Sequence, residues 1–394
     1  MQDKQNLWTK DFIFISIINF FLMLVMYMLM VTMAPFAVEQ YGASASMAGL
    51  VSGIFIIGTL SARLGTGRVI ESIGSRRILL IGIILSVISV ALYFIANSLP
   101  IILLVRFIHG IGLGIASTAT GTMIAQIIPP SRRGEGIGYF SMSSVLATAI
   151  GPFFGIYLSQ HVDFKWLFVF SLILGVIGLA MFFFVEKRPE EEPQEMIETK
   201  NEPKGIANYI ELSALPIAAI TLLAGIGYSG VLSFLSFYAK ETNLVDAASF
   251  FFLIYAIAIL LSRPFSGKML DRKGGTFVVV PSLILFAAGL LLLSQTHTGF
   301  ILLAAGAIIG LGFGNFQSCA QAMALIGVPI KRMGIATSTF YIFLDFGFGF
   351  GPYFLGNVAT AYGYRDLYMI LSGLIVIALL LYLLIGRKKK PAIQ

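Results

Sequence analysis

Residues 67–80 read GRVIESIGSRRILL, and residues 267–280 read GKMLDRKGGTFVVV. Each stretch holds a glycine (Gly67, Gly267), an acid four positions on (Glu71, Asp271) and a second glycine three after that (Gly74, Gly274). Basic residues surround them, Arg76 and Arg77 in the first copy and Arg272 in the second. The two copies lie 200 positions apart, and the same offset pairs Gly110, Gly112 and Gly114 with Gly310, Gly312 and Gly314. Pro129, Arg132, Gly134 and Phe140 answer Pro329, Arg332, Gly334 and Phe340; Gly151-Pro152 answers Gly351-Pro352, and Arg63 answers Arg263. A hydrophobic chain duplicated over so long a period reads as two membrane bundles of one architecture.

Composition supports a membrane. The chain is 58% hydrophobic and 11% charged, against about 25% charged for soluble domains. Apolar stretches long enough for a helix to cross a bilayer fall at roughly 12–37, 47–66, 77–97, 100–127, 136–159 and 166–185, and six more fall between 208 and 386. The first of them is too long for a signal peptide and reads as a retained span. All but four of the 26 Lys and Arg (Arg106, Lys165, Lys240 and Arg365) then cluster on one side, which places both termini in the cytoplasm. That bias accounts for the net charge of +7 without a nucleic-acid partner. The expectation is an all-α membrane protein with 12 transmembrane helices in two pseudo-symmetric six-helix bundles, 1–185 and 208–394, joined by a charged cytoplasmic linker over 186–207. The only cysteine, Cys319, precludes an intrachain disulfide and reads as a small buried apolar residue.

A short loop that reverses between two membrane helices needs glycine where the backbone turns or packs closely. An acid in it can accept hydrogen bonds from a helix N-terminus, and basic residues anchor at the headgroups. The two loops resemble the signature loop of the major facilitator superfamily, and the resemblance covers essentially the whole chain. It implies the major facilitator fold and a cytoplasmic latch holding the halves together in one conformation. Gly67, Glu71, Gly74, Arg76 and Arg77 would form the first latch, and Gly267, Asp271, Arg272 and Gly274 the second. The first copy departs from the family pattern, with Glu71 where aspartate is common and Ser72 where a basic residue is.

Positions that break the repeat are free to carry function. Arg106 stands opposite Gly306, in a segment that resembles the fourth-span arginine motif of proton-coupled members, with His109 where glutamine is common. Two readings are open for Arg106: it faces a cavity or partner, or it snorkels to the headgroups, since it lies about 9 Å from the outer end of its span. His109 has a side chain able to titrate. Asp345 stands opposite Val145, about 15 Å deep from the cytoplasmic end of its span, too deep for a short carboxylate to reach water. Proton coupling is assigned to Asp345, Arg106 and His109, with Asp345 as the proton or cationic-substrate site. One pH unit is worth about 1.4 kcal/mol and 100 mV about 2.3 kcal/mol per charge. Together they hold a gradient of roughly 500-fold for a neutral solute.

Gly151, Pro152 and Gly155 resemble the fifth-span motif associated with exporters of the family. Gly351 and Pro352 repeat its core, and all five read as hinge. A cavity lining of aromatic and small polar residues is expected from Tyr27, Thr32, Ser117, Thr120, Gln126, Tyr228, Tyr255, Asn315, Gln317, Gln321 and Tyr341. With Met and Phe around them, such surfaces suit promiscuous amphipathic ligands. Few intramembrane charges lean toward neutral or cationic ones. No phosphate-binding glycine loop, Cys/His metal cluster or nucleophile with a base is present in the sequence. The expectation is therefore no cofactor, no metal, no catalytic residue and no enzyme activity. The chain reads as a monomeric secondary transporter in a bacterial cell membrane. Its partners would be protons, the lipid bilayer and a small-molecule substrate, exported by alternating access. The rival reading is a dedicated exporter or importer of one metabolite, metallophore or nutrient.

Overall fold

The structure, a computed structural model, describes residues 7–43, 45–186 and 205–386. Its first repeat runs through α1 (Lys10–Tyr41), α2 (Ala45–Ile73), α3 (Ser75–Leu92), α4 (Leu99–Ile127), α5 (Arg133–His161) and α6 (Phe164–Phe182). The second holds α7 (Leu215–Glu241), α8 (Val245–Lys273) and α9 (Thr276–Ser294). It continues through α10 (Gly299–Ile309), α11 (Asn315–Ala324) and α12 (Met333–Gly386). A π-helical turn, Gly310–Gly314, joins α10 to α11 into one span, and α12 bends at Gly363 (φ 82°) and carries two. Among the described residues, twelve segments are long and apolar enough to cross a membrane. The all-helical fold follows from lipid as solvent, where every backbone N–H and C=O must be satisfied within the chain. Phe265, Phe277 and Phe300 stand exposed, on surface that lipid accommodates.

Helix ends follow local chemistry. Thr9 accepts from Phe12 N–H at 3.2 Å to open α1, and Gly42 closes it in the left-handed region at φ 61°. Gly74 (φ 91°) and Gly274 (φ 87°) make the turns that lead from α2 to α3 and from α8 to α9, which explains the second glycine of each signature loop.

Packing groups the chain along other lines than the repeat. One compact unit comprises Met1–Pro129, Leu146–Leu212 and Gly327–Tyr341; the other comprises Pro130–Val145, Ser213–Ile326 and Ile342–Gln394. Each unit therefore includes the opening of a long helix from the opposite repeat. In the first unit a core of Met23, Leu29, Phe36, Phe55, Val105, Leu113 and Phe168 ties α1, α2, α4 and α6. In the second, Phe251, Phe286, Phe313 and Phe316 are fully buried. Hydrophobicity does not drive helices together in lipid; close van der Waals approach at small residues does. Close approaches occur at the first glycine of each signature loop. A Cβ on Gly67 would lie 2.8 Å from the Gly334 carbonyl oxygen, in the first unit. A Cβ on Gly267 would lie 2.8 Å from the Gly134 carbonyl oxygen, in the second.

Most of the expected linker, 187–204, lies outside the described residues, as do Lys4 and the basic residues 387–390.

Candidate functional site

In the first unit, α4 brings Arg106 and His109, one turn apart, against α2 and α3. Arg106 is 0% exposed, so it does not snorkel. Its Nε donates to the Val51 carbonyl at 3.0 Å, and its guanidinium carbon sits 4.4 Å over the Phe55 ring. Nη1 and Nη2, the end-on fork, have no hydrogen-bond partner among the described residues, although the Tyr93 hydroxyl lies within their electrostatic reach. His109 meets Phe55 edge-on at 5.2 Å, and its Nδ1 pairs with the Tyr93 hydroxyl at 3.2 Å. Tyr93 in turn stacks on Phe168 at 5.0 Å. His109 also lines a small, mostly apolar pocket with Ser86, Ser171 and side chains of α1, α3 and α6. The cluster is one retained cation beside a hydrogen-bonded imidazole–phenol pair.

Asp345 belongs to the second unit, on α12, where it is half-buried and engaged.

The expected cavity residues separate into two sets. In the first unit Thr32, Ser117 and Thr120 are buried and bond the carbonyls of Met28, Leu113 and Ser117 at 3.0, 2.7 and 3.0 Å. Thr120 also donates to Asn19 Oδ1 at 3.1 Å, a partner on α1 that the sequence reading missed. Gln126 accepts from Ser75 at 2.9 Å, and Tyr27 is half-buried against Gly151. In the second unit Tyr228 stacks on Phe313 at 4.3 Å and on Tyr255 at 5.4 Å. Phe313 belongs to the π turn, and Asn315 follows it directly. Asn315 donates to Ser262 at 2.9 Å and accepts from Ser266 at 2.9 Å. Gln321 is buried and engaged, and Gln317 is half-buried. Span four has no π turn at Gly110–Gly114, so this aromatic and amide site belongs to the second copy alone. Extra turns of this kind frequently mark functional sites.

The second signature loop is tied to a helix N-terminus. Asp271 accepts from the backbone N–H groups of Gly134 and Glu135 at 2.7 and 2.9 Å, in the first turn of α5, where the helix dipole favours an anion. Glu135 in turn pairs with Arg132 at 2.9 Å and Lys268 at 3.7 Å. Arg332, the counterpart of Arg132, pairs instead with Glu211 at 2.7 Å. In the first loop Glu71 and Arg77 are engaged, and Arg76 sits 4.5 Å over Phe182 and donates to the Val185 carbonyl at 3.3 Å.

The fifth-span glycines pack on the first helix of each repeat. A Cβ on Gly151 or Gly155 would lie 2.8 Å from Tyr27 Cβ or the Met28 carbonyl, respectively. Gly351 lies against Ser229 and Ile226, and Pro152 and Pro352 follow within their helices.

Two arginines escaped the sequence reading, which counted them among the bases on the cytoplasmic side. Arg63 and Arg263 are 3% and 2% exposed. The Arg63 Nη1 donates to Thr118 at 3.2 Å, its guanidinium lies 4.3 Å over the Tyr341 ring, and Ser338 donates to its carbonyl. For Arg263, neither Nε nor Nη1 has a partner among the described residues. Their position at the ends of apolar runs was the available signal, and it pointed outward.

Twelve spans, a duplicated core and buried charges on the helices are the build of a polytopic membrane transporter. The sequence pattern of the Major Facilitator Superfamily matches residues 15–343 and, a second time, 217–394, so the chain belongs to that superfamily. It is 23% identical to the multidrug resistance protein MdtG of Salmonella arizonae, over 87% of each chain. It is 21% identical to the staphylopine export protein of Staphylococcus aureus, over 91% of this chain and 92% of that one. The human organic anion transporter MFSD10 (TETRAN) superposes with a TM-score of 0.74 at 16% identity, covering 94% of this chain and 98% of that one, which establishes the shared fold.

Proposed function

We propose that this transporter is a proton-coupled exporter, an antiporter of small amphipathic compounds that works by alternating access in a cell membrane, with both termini in the cytoplasm. The observation that carries the reading is Arg106, fully buried and with its end-on fork open, beside the bonded His109–Tyr93 pair. A buried cation beside a hydrogen-bonded imidazole and phenol is the arrangement on which the coupling reading is built. Asp345 is the second proton site, in the other unit. The repeats over 1–185 and 208–394 act as the two bundles, with Gly151, Pro152, Gly155, Gly351 and Pro352 as hinges. The Asp271 pair of hydrogen bonds is the stronger latch and Glu71 its counterpart. The likeness to MdtG supports export of varied compounds.

A second reading, export of one dedicated solute, is favoured by the likeness to the staphylopine export protein. One assay separates the two. The full chain is reconstituted in vesicles, a proton gradient is imposed, and drug-like and metabolite solutes are screened. Coupled flux of many amphipathic compounds supports the first reading; flux of a single metabolite replaces it with the second. Asp345→Asn abolishes proton-driven flux on the first reading, and undiminished flux removes Asp345 from it.

A further inference from the structure

We infer that Arg263 is an anion subsite, and that it receives the carboxylate of an amphipathic organic acid. The inference rests on the transport reading above and names its substrate class, against the sequence-based lean toward neutral or cationic compounds.

The repeat supplies the argument. Three groups dress Arg63, and all three have counterparts 200 positions away. Thr118, its side-chain acceptor, corresponds to Ser318, whose hydroxyl turns to its own helix and bonds the Asn315 carbonyl at 3.3 Å. Tyr341, its ring cover, corresponds to Ser141, whose hydroxyl bonds the Gly138 carbonyl at 2.9 Å. Ser338, which donates to its backbone, corresponds to Gly138, which has no side chain to donate. The arginine was kept in the second copy while each of its internal partners was replaced.

A guanidinium carries its charge at neutral pH. An unpaired buried charge costs several kcal/mol, so a protein retains one where something else completes it. The titratable neighbours that act on it are Tyr255 and Cys319, and no carboxylate pairs with it among the described residues. Arg106 is better provided for, with a carbonyl and a ring. A carboxylate matches the free guanidinium donors in charge and planar geometry.

Aromatic side chains lie further along the same helix. Tyr255 lies on α8 eight residues before Arg263, about 12 Å along the helix. It belongs to the buried stack with Tyr228 and Phe313 at the π turn. A carboxylate at Arg263 with an apolar, preferably aromatic, body toward this stack is the ligand that the second unit suits.

The test is equilibrium binding to the purified full chain, with 2-naphthoate as the acid and 2-naphthamide as its uncharged match, by titration calorimetry. The wild type binds the acid about tenfold or more tightly than the amide. Arg263→Gln removes that preference while amide binding persists, Arg263→Lys keeps part of it, and Arg63→Gln keeps all of it. Equal affinities in the wild type, no acid binding, or a preference that survives Arg263→Gln overturns the inference. If Arg263→Gln does not fold, Arg263→Lys decides: a reduced preference supports the subsite and an undiminished one overturns it. Binding needs no proton gradient. An Arg263-dependent preference without proton-driven flux defeats the transport reading alone, and proton-driven flux with no acid preference defeats the subsite alone.

Discussion

Arg63 on α2 and Arg263 on α8 occupy repeat-equivalent positions and are buried alike, at 3% and 2% exposure. One is held by a hydroxyl and a tyrosine ring inside its unit; the other has Nε and Nη1 without partners among the described residues. The residue type is the same and the electrostatic circumstance is opposite. Duplication copies a scaffold, and divergence of the neighbours then decides which copy of a residue is structural and which is left able to bind. The same contrast separates span four, regular through its three glycines, from span ten, where a π turn brings Phe313 onto Tyr228.

The largest effect is expected where the copies are equivalent. Gly67→Leu and Gly267→Leu each force a side chain into a backbone 2.8 Å away, an overpacking cost of about 3 kcal/mol. Both should abolish recovery of monodisperse protein on size exclusion, and tolerance of either one breaks the symmetry of the two crossings. Next come the arginines themselves. Arg63→Met should lower the melting temperature by several degrees, because it removes a satisfied cation. Arg263→Met should leave it unchanged or raise it by about 2–4 °C, since an apolar side chain replaces an unpaired charge. Shifts of the same sign and size would erase the distinction.

Tyr341→Ser gives Arg63 the counterpart residue of the second copy. It should cost about 1–2 kcal/mol from the lost ring contact, read by thermal melting. The smallest change is Asp271→Asn, which keeps an acceptor at the α5 N-terminus and loses only the charge. About 0.5–1 kcal/mol is expected, reduced further in high salt; a larger loss would make this carboxylate more than a helix cap.

Much of this was legible beforehand. Twelve apolar runs, the 200-residue offset and the loop glycines are local properties, and the structure gives each glycine its reason, a positive φ at Gly74 and Gly274 and a close crossing at Gly67 and Gly267. Arg106 and Asp345 stood out because they break the repeat, and His109 because it falls in the fourth-span motif with Arg106. The cavity residues were less legible. Polarity and position singled out Thr120 and Asn315, while their partners Asn19, Ser262 and Ser266 lie on other helices. Arg263 was passed over because filtering for differences between the copies discards a residue that both copies share.

The sequence by itself determined the membrane, the helices and the duplication, since hydrocarbon admits little else than a helix for an apolar run of that length. Only the tertiary structure decided the fate of each charge. Whether a guanidinium is satisfied depends on what is packed around it, and the groups that meet the Arg63 guanidinium, Thr118 and Tyr341, come from distant parts of the chain. No local pattern around residue 63 or residue 263 encodes that difference, because the field at a buried charge is set by neighbours in space.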